Sequence, residues 1–220
     1  MRLYVLRHGE TPWNKQHLLQ GQTGADLDEE GVLLAEITAK AMRDIPIDLC
    51  VTSPLVRARH TAQILLEGRD VPIIEDDRLM EISLGEWEGK SFDLEKHQIS
   101  AENYIAFRQD PFAYIPPKGG ETIREVIGRT GSLYRALIRD DALQDKTILI
   151  STHGCASRAF LNPLFDDPRD FWQGGVPLNC SVSIVDIKDG VGKITLQDHV
   201  YYGKEYYHNH FQLKQRADGS

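Results

Sequence analysis

The 220-residue chain is short of cysteine, of long apolar runs and of clustered positive charge, and each shortage closes off a class of protein. Its three cysteines, Cys50, Cys155 and Cys180, stand too far apart for a disulfide framework or a CxxC metal pattern. They read as reduced thiols. No apolar stretch approaches the ~20 residues of a membrane-spanning helix, and the first strand starts by Arg2 or Leu3, which leaves no room for a leader. The chain is therefore expected in the cytoplasm with no membrane partner. Lys and Arg number 25 against 33 Asp and Glu, a formal net charge of −8, and no basic run stands out, so a nucleic-acid partner is not expected. An acidic surface is nevertheless compatible with a locally basic pocket.

What the chain does contain is a β/α alternation. Apolar or β-branched runs at Arg2–Leu6, Ile47–Thr52, Val71–Ile74 and Thr147–Ser151 predict strands. Helical spacing predicts helices over Asp28–Asp44, Pro54–Leu66, Glu121–Arg139 and Gly154–Leu164. Strands as uniformly apolar as Thr147-Ile148-Leu149-Ile150 suit a mostly parallel sheet covered on both faces, a three-layer α/β/α sandwich. Asp28 ahead of Glu29 and Glu30 predicts an N-cap. The alternating segment Ser181–Ile187, then Asp189-Gly190 and Lys193–Leu196, predicts a hairpin at a sheet edge. The length fits a single domain over 1–220. Gly85–Lys118, with Trp87, Phe92, Tyr104, Phe107, Phe112 and Tyr114 among charges, breaks the alternation. It predicts two short helices and a loop lying as a lid over one end of the sheet. The polar tail Lys214–Ser220 is expected to fray.

Chemistry concentrates at predicted strand ends. Leu6-Arg7-His8-Gly9-Glu10-Thr11 places an imidazole, a candidate nucleophile, beside a guanidinium able to hold an anion. After Ile47–Thr52, Arg57 falls in the first turn of a helix, where unpaired N–H groups and the dipole favour phosphate; Arg59 reads instead as a surface residue. Ser151-Thr152-His153-Gly154 sets a second histidine at a second strand end. In a parallel sheet these carboxyl ends share one edge, so topology alone brings His8, Arg57 and His153 together. In Leu79–Gly89 the carboxylates Glu81, Glu86 and Glu88 each offer a general acid, and the residues alone do not choose among them. Other patterns fail on spacing. Gly89-Lys90-Ser91 has Leu84 where a P-loop needs glycine, and Cys155 to Arg158 is not the spacing of a cysteine phosphatase. The remaining histidines, His17, His60, His97, His199, His208 and His210, show no zinc-ligand spacing, so no metal is expected.

Taken in order, Arg7-His8-Gly9-Glu10-Thr11, Trp13-Asn14, Gln20-Gly21, Ser53-Pro54-Leu55 with Arg57-Ala58 and Thr61-Ala62, Glu81 in its Leu-Gly-Glu-Trp-Glu-Gly setting, Gly119-Gly120-Glu121 and His153-Gly154 resemble the histidine phosphatase superfamily, with its phosphoglycerate mutase-like fold. The resemblance runs from residue 2 to about residue 200. It implies that His8 becomes phosphorylated, that Arg7 and Arg57 grip the phosphoryl oxygens, that His153 completes the pocket, and that Glu81 is the proton donor. It further implies phosphate contacts from Asn14, Gln20 with Gly21, and the amide of Gly154. A phosphomonoester is a dianion whose transfer depends on positioning and charge stabilisation, which two arginines and a protonated histidine supply without a cofactor. Positive surroundings should depress the pKa of His8 and keep it neutral for attack. Glu81 is expected to become a competent acid only when substrate is bound.

The resemblance thus implies a histidine acid-type phosphatase, a phosphoric monoester hydrolase whose partners are a small phosphomonoester and inorganic phosphate. One alternative is a cofactor-dependent phosphoglycerate mutase, but the paired-arginine segment of such mutases is missing between Glu81 and Gly119. A second is a non-catalytic sensor of phosphorylated ligands, which would be expected to have lost the histidine or the acid. Nothing in the sequence names the substrate or the oligomeric state.

Overall fold

The computed structural model describes residues 1–23 and 25–207. The expected frayed tail, with His208 and His210, lies outside the described residues. Among those described, β1 (Arg2–Arg7), β2 (Leu49–Thr52), β3 (Ile73–Glu75), β4 (Thr147–Thr152), β5 (Val182–Lys188) and β6 (Val191–His199) form one sheet in the order β3-β2-β4-β1-β5-β6. The four strands β3, β2, β4 and β1 pair parallel; β5 and β6 are antiparallel additions. The helices are α1 (Pro12–Lys15), α2 (Glu29–Ala41), α3 (Val56–Leu65), α4 (Ala101–Gln109), α5 (Ile123–Arg139) and α6 (Gly154–Leu161).

Side-chain alternation along the strands builds the layers. Leu3 and Val5 of β1 and Ile148 and Ile150 of β4 pack with Leu133 and Leu137 of α5 and Phe160 of α6. Their neighbours Tyr4, Leu6 and Leu149 point the other way and pack with Leu34 of α2 and Ala62 and Leu65 of α3. Both faces of β1 and β4 are therefore core, which explains why their sequences lack a polar side. The helices begin where their caps dictate. Asp28 Oδ1 accepts from Gly31 N at 2.8 Å to open α2, and Thr122 with Glu125 forms a reciprocal capping box for α5.

The predicted hairpin is present, with Asp189 and Gly190 both at positive φ (53° and 75°), the two-residue turn that matches strand twist. Its second strand is longer than its apolar pattern, since β6 alternates half-buried and exposed residues along the sheet edge. The Gly85–Lys118 segment differs from expectation. It holds one α-helix, α4, together with 3₁₀ turns at Gly85–Trp87 and Leu94–Lys96, and the second of these stops at His97, which takes a left-handed conformation (φ 50°). Aromatic packing rather than helix propensity organises it: Trp87, Phe92, Tyr104, Phe107 and Tyr114 form a third apolar cluster against Ile123 and Val126 of α5 and Cys155 and Ala159 of α6. The four-residue α1 was not foreseen; it rests on Pro12 at its first position and a Thr11–Asn14 capping box.

Candidate active site

The sheet register fixes the chemistry-bearing residues at one edge. Arg7 pairs with Thr152 and Thr52 with Ser151, so His8, Ser53 and His153 all leave parallel strands at the same level. The His8 and His153 rings lie 5.1 Å apart, centroid to centroid. One cleft is lined by Arg7, His8, Asn14, Gln20, Gly21, Arg57, Glu81 and Gly154, eight of the nine residues singled out in the sequence. The ninth, His153, is fully buried behind the His8 ring.

His8 is held on every side by backbone. Its N–H donates to Thr152 O at 3.0 Å, the amide of Asn179 donates to the carbonyls of His8 and Gly9 at 3.0 Å each, and Cys180 N donates to Arg7 O at 3.1 Å. The imidazole Nδ1 lies 2.7 Å from Gly9 O. A carbonyl only accepts, so Nδ1 carries the proton and Nε2 keeps its lone pair. Burial, then Arg57, then Arg7, push the pKa of His8 well below its ordinary 6.5, against a smaller opposite pull from the Gly9 hydrogen bond.

Both arginines are buried and partly committed to backbone. Arg57 donates through Nη1 to Thr23 O (2.8 Å) and through Nη2 to Gly21 O (2.7 Å), which leaves its buried Nε without a partner among the described residues; Arg7 donates to Pro177 O. Burial lowers the pKa of Arg57 to about 10 and that of Arg7 below its usual value, so an anion in the cleft would relieve both. Arg59, by contrast, pairs with Glu75 on the surface at 3.1 Å.

His153 departs from expectation. Its Nε2 meets Ser53 Oγ at 2.8 Å, and burial followed by Arg57, His8 and Arg7 holds its pKa well below 6.5. A protonated histidine was expected there; before an anion binds, desolvation makes it a neutral one.

The three carboxylates that local pattern left equivalent, and among which only the family resemblance chose Glu81, separate clearly. Glu86 is exposed, and Glu88 Oε1 is taken by the N–H groups of Gln22 and Leu84, both at 3.0 Å. Glu81 alone lines the cleft. Its Oε1 accepts from Ile82 N and Ala156 N (2.9 Å each) and its Oε2 from Cys155 N (3.1 Å). It thereby caps α6 from outside, since the N-cap residue His153 makes no side-chain cap bond. Gly154, the first residue of α6, permits this crowding: a Cβ there would sit 2.8 Å from Val176 Cγ1 and 3.6 Å from Arg7 Nε.

Beyond these residues the cleft is lined by Leu19, Ile82, Leu84, Tyr104, Phe107, Arg108, Cys155, Trp172 and Val176. Trp87 belongs to the core rather than the cleft. The Trp172 ring, fixed by its Nε1 bond to Phe107 O at 2.8 Å, carries the Arg108 guanidinium 5.5 Å from its centroid. Sequence reasoning missed Ser53 as a partner of His153, as well as Asn179, Trp172 and Val176. These last three reach the site from a loop with no motif of its own. Among the described residues no three His, Cys, Asp or Glu side chains cluster as a metal site requires.

A family model described as the histidine phosphatase superfamily (branch 1) matches residues 3–199. The chain belongs to the histidine phosphatase superfamily. Within it, the adenosylcobalamin/alpha-ribazole phosphatase of Salmonella typhimurium is 33% identical over 192 residues, 86% of this chain and 92% of that protein. A probable 2-carboxy-D-arabinitol-1-phosphatase of Arabidopsis thaliana is 28% identical over 186 residues, 84% of this chain; the chain spans only 38% of that relative's length. The solved structure of Bacillus stearothermophilus YhfR superposes with a TM-score of 0.84 at 33% identity, covering 90% of this chain and 97% of that one. Phosphoglycerate mutases dependent on 2,3-bisphosphoglycerate are also relatives, at identities of 31% in Cytophaga hutchinsonii and 28% in Lachnoclostridium phytofermentans. Superfamily membership therefore includes both hydrolysis and transfer. No described helix is long and apolar enough to cross a membrane.

Proposed function

We propose that this protein hydrolyses small phosphomonoesters without a metal, through a phosphohistidine on His8, as a histidine acid-type phosphatase of a reducing, cytoplasmic compartment. The observation that carries the reading is the state of His8: buried, neutral, with Nδ1 tied to Gly9 O and Nε2 available beside two guanidinium groups. The Nε2 lone pair attacks phosphorus and the P–O ester bond breaks. Its electron pair leaves with the alcohol oxygen, which takes a proton from Glu81. Oε2 is the oxygen to carry that proton, because it accepts one backbone bond where Oε1 accepts two. Arg7, Arg57 and the Gly154 amide hold the equatorial oxygens, with Asn14, Gln20 and Gly21 around them. A bound dianion also favours the charged form of His153, which would then become a further donor. Water, deprotonated by Glu81, attacks the phosphohistidine, the P–N bond breaks, and inorganic phosphate leaves.

Mutase transfer is the second reading, favoured by the mutases among the relatives. Between Glu81 and Gly119 the chain has one arginine, Arg108, which lines the cleft against Trp172 rather than forming part of a pair. A single cation stacked on an aromatic wall offers little to hold an acidic intermediate while it turns over. Release of inorganic phosphate from a panel of phosphomonoesters should outpace interconversion of 2- and 3-phosphoglycerate on the same preparation, with bisphosphoglycerate present. Interconversion faster by an order of magnitude, about 1.4 kcal/mol in barrier height, would transfer the assignment to a mutase.

A further inference from the structure

The Gly119-Gly120-Glu121 motif touches no part of the phosphate grip, yet it lies directly against the segment that carries Glu81. Glu121 N donates to Ser83 O at 2.9 Å and Ser83 Oγ to Gly119 O at 2.8 Å. Leu84 and Gly120 form an isolated antiparallel bridge. Gly85, at φ +50°, is so close that a Cβ on it would lie 2.2 Å from Lys118 O. This short zipper ends on Glu121, whose carboxylate accepts from Ser83 N at 2.8 Å and holds Arg129 of α5 at 2.8 and 3.0 Å.

Arg129 then reaches back across the same segment. Nη1 donates to the carbonyls of Arg78 (2.9 Å) and Met80 (2.7 Å), and Nη2 to that of Glu81 itself (3.0 Å). One planar fork thus collects two carbonyls before Glu81 and that of Glu81 itself, while its carboxylate partner takes the N–H two residues beyond. An ammonium, as a point donor, has no equivalent geometry. Both side chains are mostly buried, at 18% and 23% exposure, so screening by solvent is limited. The Glu81 carboxylate meanwhile rests on the amides of Cys155 and Ala156 at the start of α6, so its position is fixed from both ends.

We propose that Arg129, braced by Glu121, is a positioning residue that holds Glu81 at the leaving-group side of the cleft and thereby sets the efficiency of proton donation. The inference rests on the reading of Glu81 as the donor. Arg129 does not line the cleft and acts through the backbone of 78–83.

The test compares kcat/KM for an alkyl phosphate, whose alcohol must be protonated as it leaves, with that for 4-nitrophenyl phosphate, whose phenolate leaves without a proton. Because kcat/KM covers steps only up to release of the alcohol, it isolates donation from the later water step. Glu81→Gln is expected to lower the alkyl value by about 10²–10³-fold and the aryl value far less, as for loss of a general acid. Arg129→Lys keeps the charge but not the fork. It should show the same selectivity at about ten- to a hundredfold on the alkyl ester. Equal losses on both esters in Arg129→Lys, alongside a selective Glu81→Gln, would overturn the positioning role and leave the phosphatase reading intact. Equal losses in Glu81→Gln would instead remove Glu81 as donor. Should Arg129→Lys not fold, the ratio is read from Glu121→Gln, which preserves shape and the acceptor for Ser83 but breaks the bidentate ion pair; an unselective loss there overturns the inference equally.

Discussion

A neutral imidazole is a nucleophile and a protonated one is not, and at His8 burial and two guanidinium groups all oppose protonation. The acid limb of the kcat/KM profile should consequently fall below pH 6.5 rather than at it; a limb at 6.5 would show that His8 titrates as if in water. His8→Ala should abolish turnover. Arg57→Ala, removing a preorganised donor, should cost about 10²–10³-fold in rate, and an acid-labile, base-stable phosphoenzyme should be trapped from the unmodified protein but not from His8→Ala. Residues of this kind were legible because each follows a strand and bears an ionisable side chain. Glu81 was separable from Glu86 and Glu88 only through the family resemblance, since local composition gives all three the same setting of glycines and apolar residues. What distinguishes them is which backbone amides lie nearby: beyond the adjacent Ile82 N, those amides come from residues 22, 84, 155 and 156. Asn179 carried no signal at all, because its partners, the carbonyls of His8 and Gly9, are 171 and 170 residues away in the chain.

Among elements, β1, β4, α5 and α6 were the most legible. Strands buried on both faces read as short, near-continuous apolar runs, and α5 shows a single apolar stripe; α6, buried on every side, is marked instead by its place directly after β4. The Gly85–Lys118 segment was legible only as an exception. Its one helix is short and its 3₁₀ turns follow tertiary contacts between aromatic rings, which no local period encodes. α6 shows how an element turns into a site. Lacking a side-chain cap at His153, it lends its second and third amides to Glu81 and keeps its first, on Gly154, at the cleft. Gly154→Ala tests this arrangement. Its methyl would press on Val176 and must shift either the start of α6 or the 172–177 loop that lines the other wall. The expected result is at least a tenfold loss in kcat/KM and in affinity for inorganic phosphate, measured alongside a melting curve. Unchanged kinetics would mean that Val176 yields freely and that the close approach has no catalytic purpose.

Over the whole molecule, a formal charge of −8 surrounds a cleft lined by three arginines and one carboxylate. The protein thus carries its positive potential inside, where low dielectric strengthens it, and keeps two histidines uncharged there. Those histidines link the site to global stability. The unfolded chain protonates both near the ordinary 6.5, whereas the folded chain resists until well below it. Between those limits the unfolded state binds more protons, so stability must rise with pH and fall as pH drops beneath 6.5. Each histidine contributes a slope of up to about 1.4 kcal/mol per pH unit, roughly 2.7 for the pair. The carboxylates with lowered pKa values, such as Asp76 and Asp186, start from 3.8 and act in a separate, more acidic window. Urea midpoints between pH 7.5 and 5 should therefore decline steeply, and His153→Asn should remove about half of the slope. Inorganic phosphate should flatten it further, because a bound dianion raises the folded-state pKa of His153 towards its unfolded value. Midpoints that stay level across this range would show that neither histidine is held neutral, and the electrostatic basis for His8 as nucleophile would fail with them.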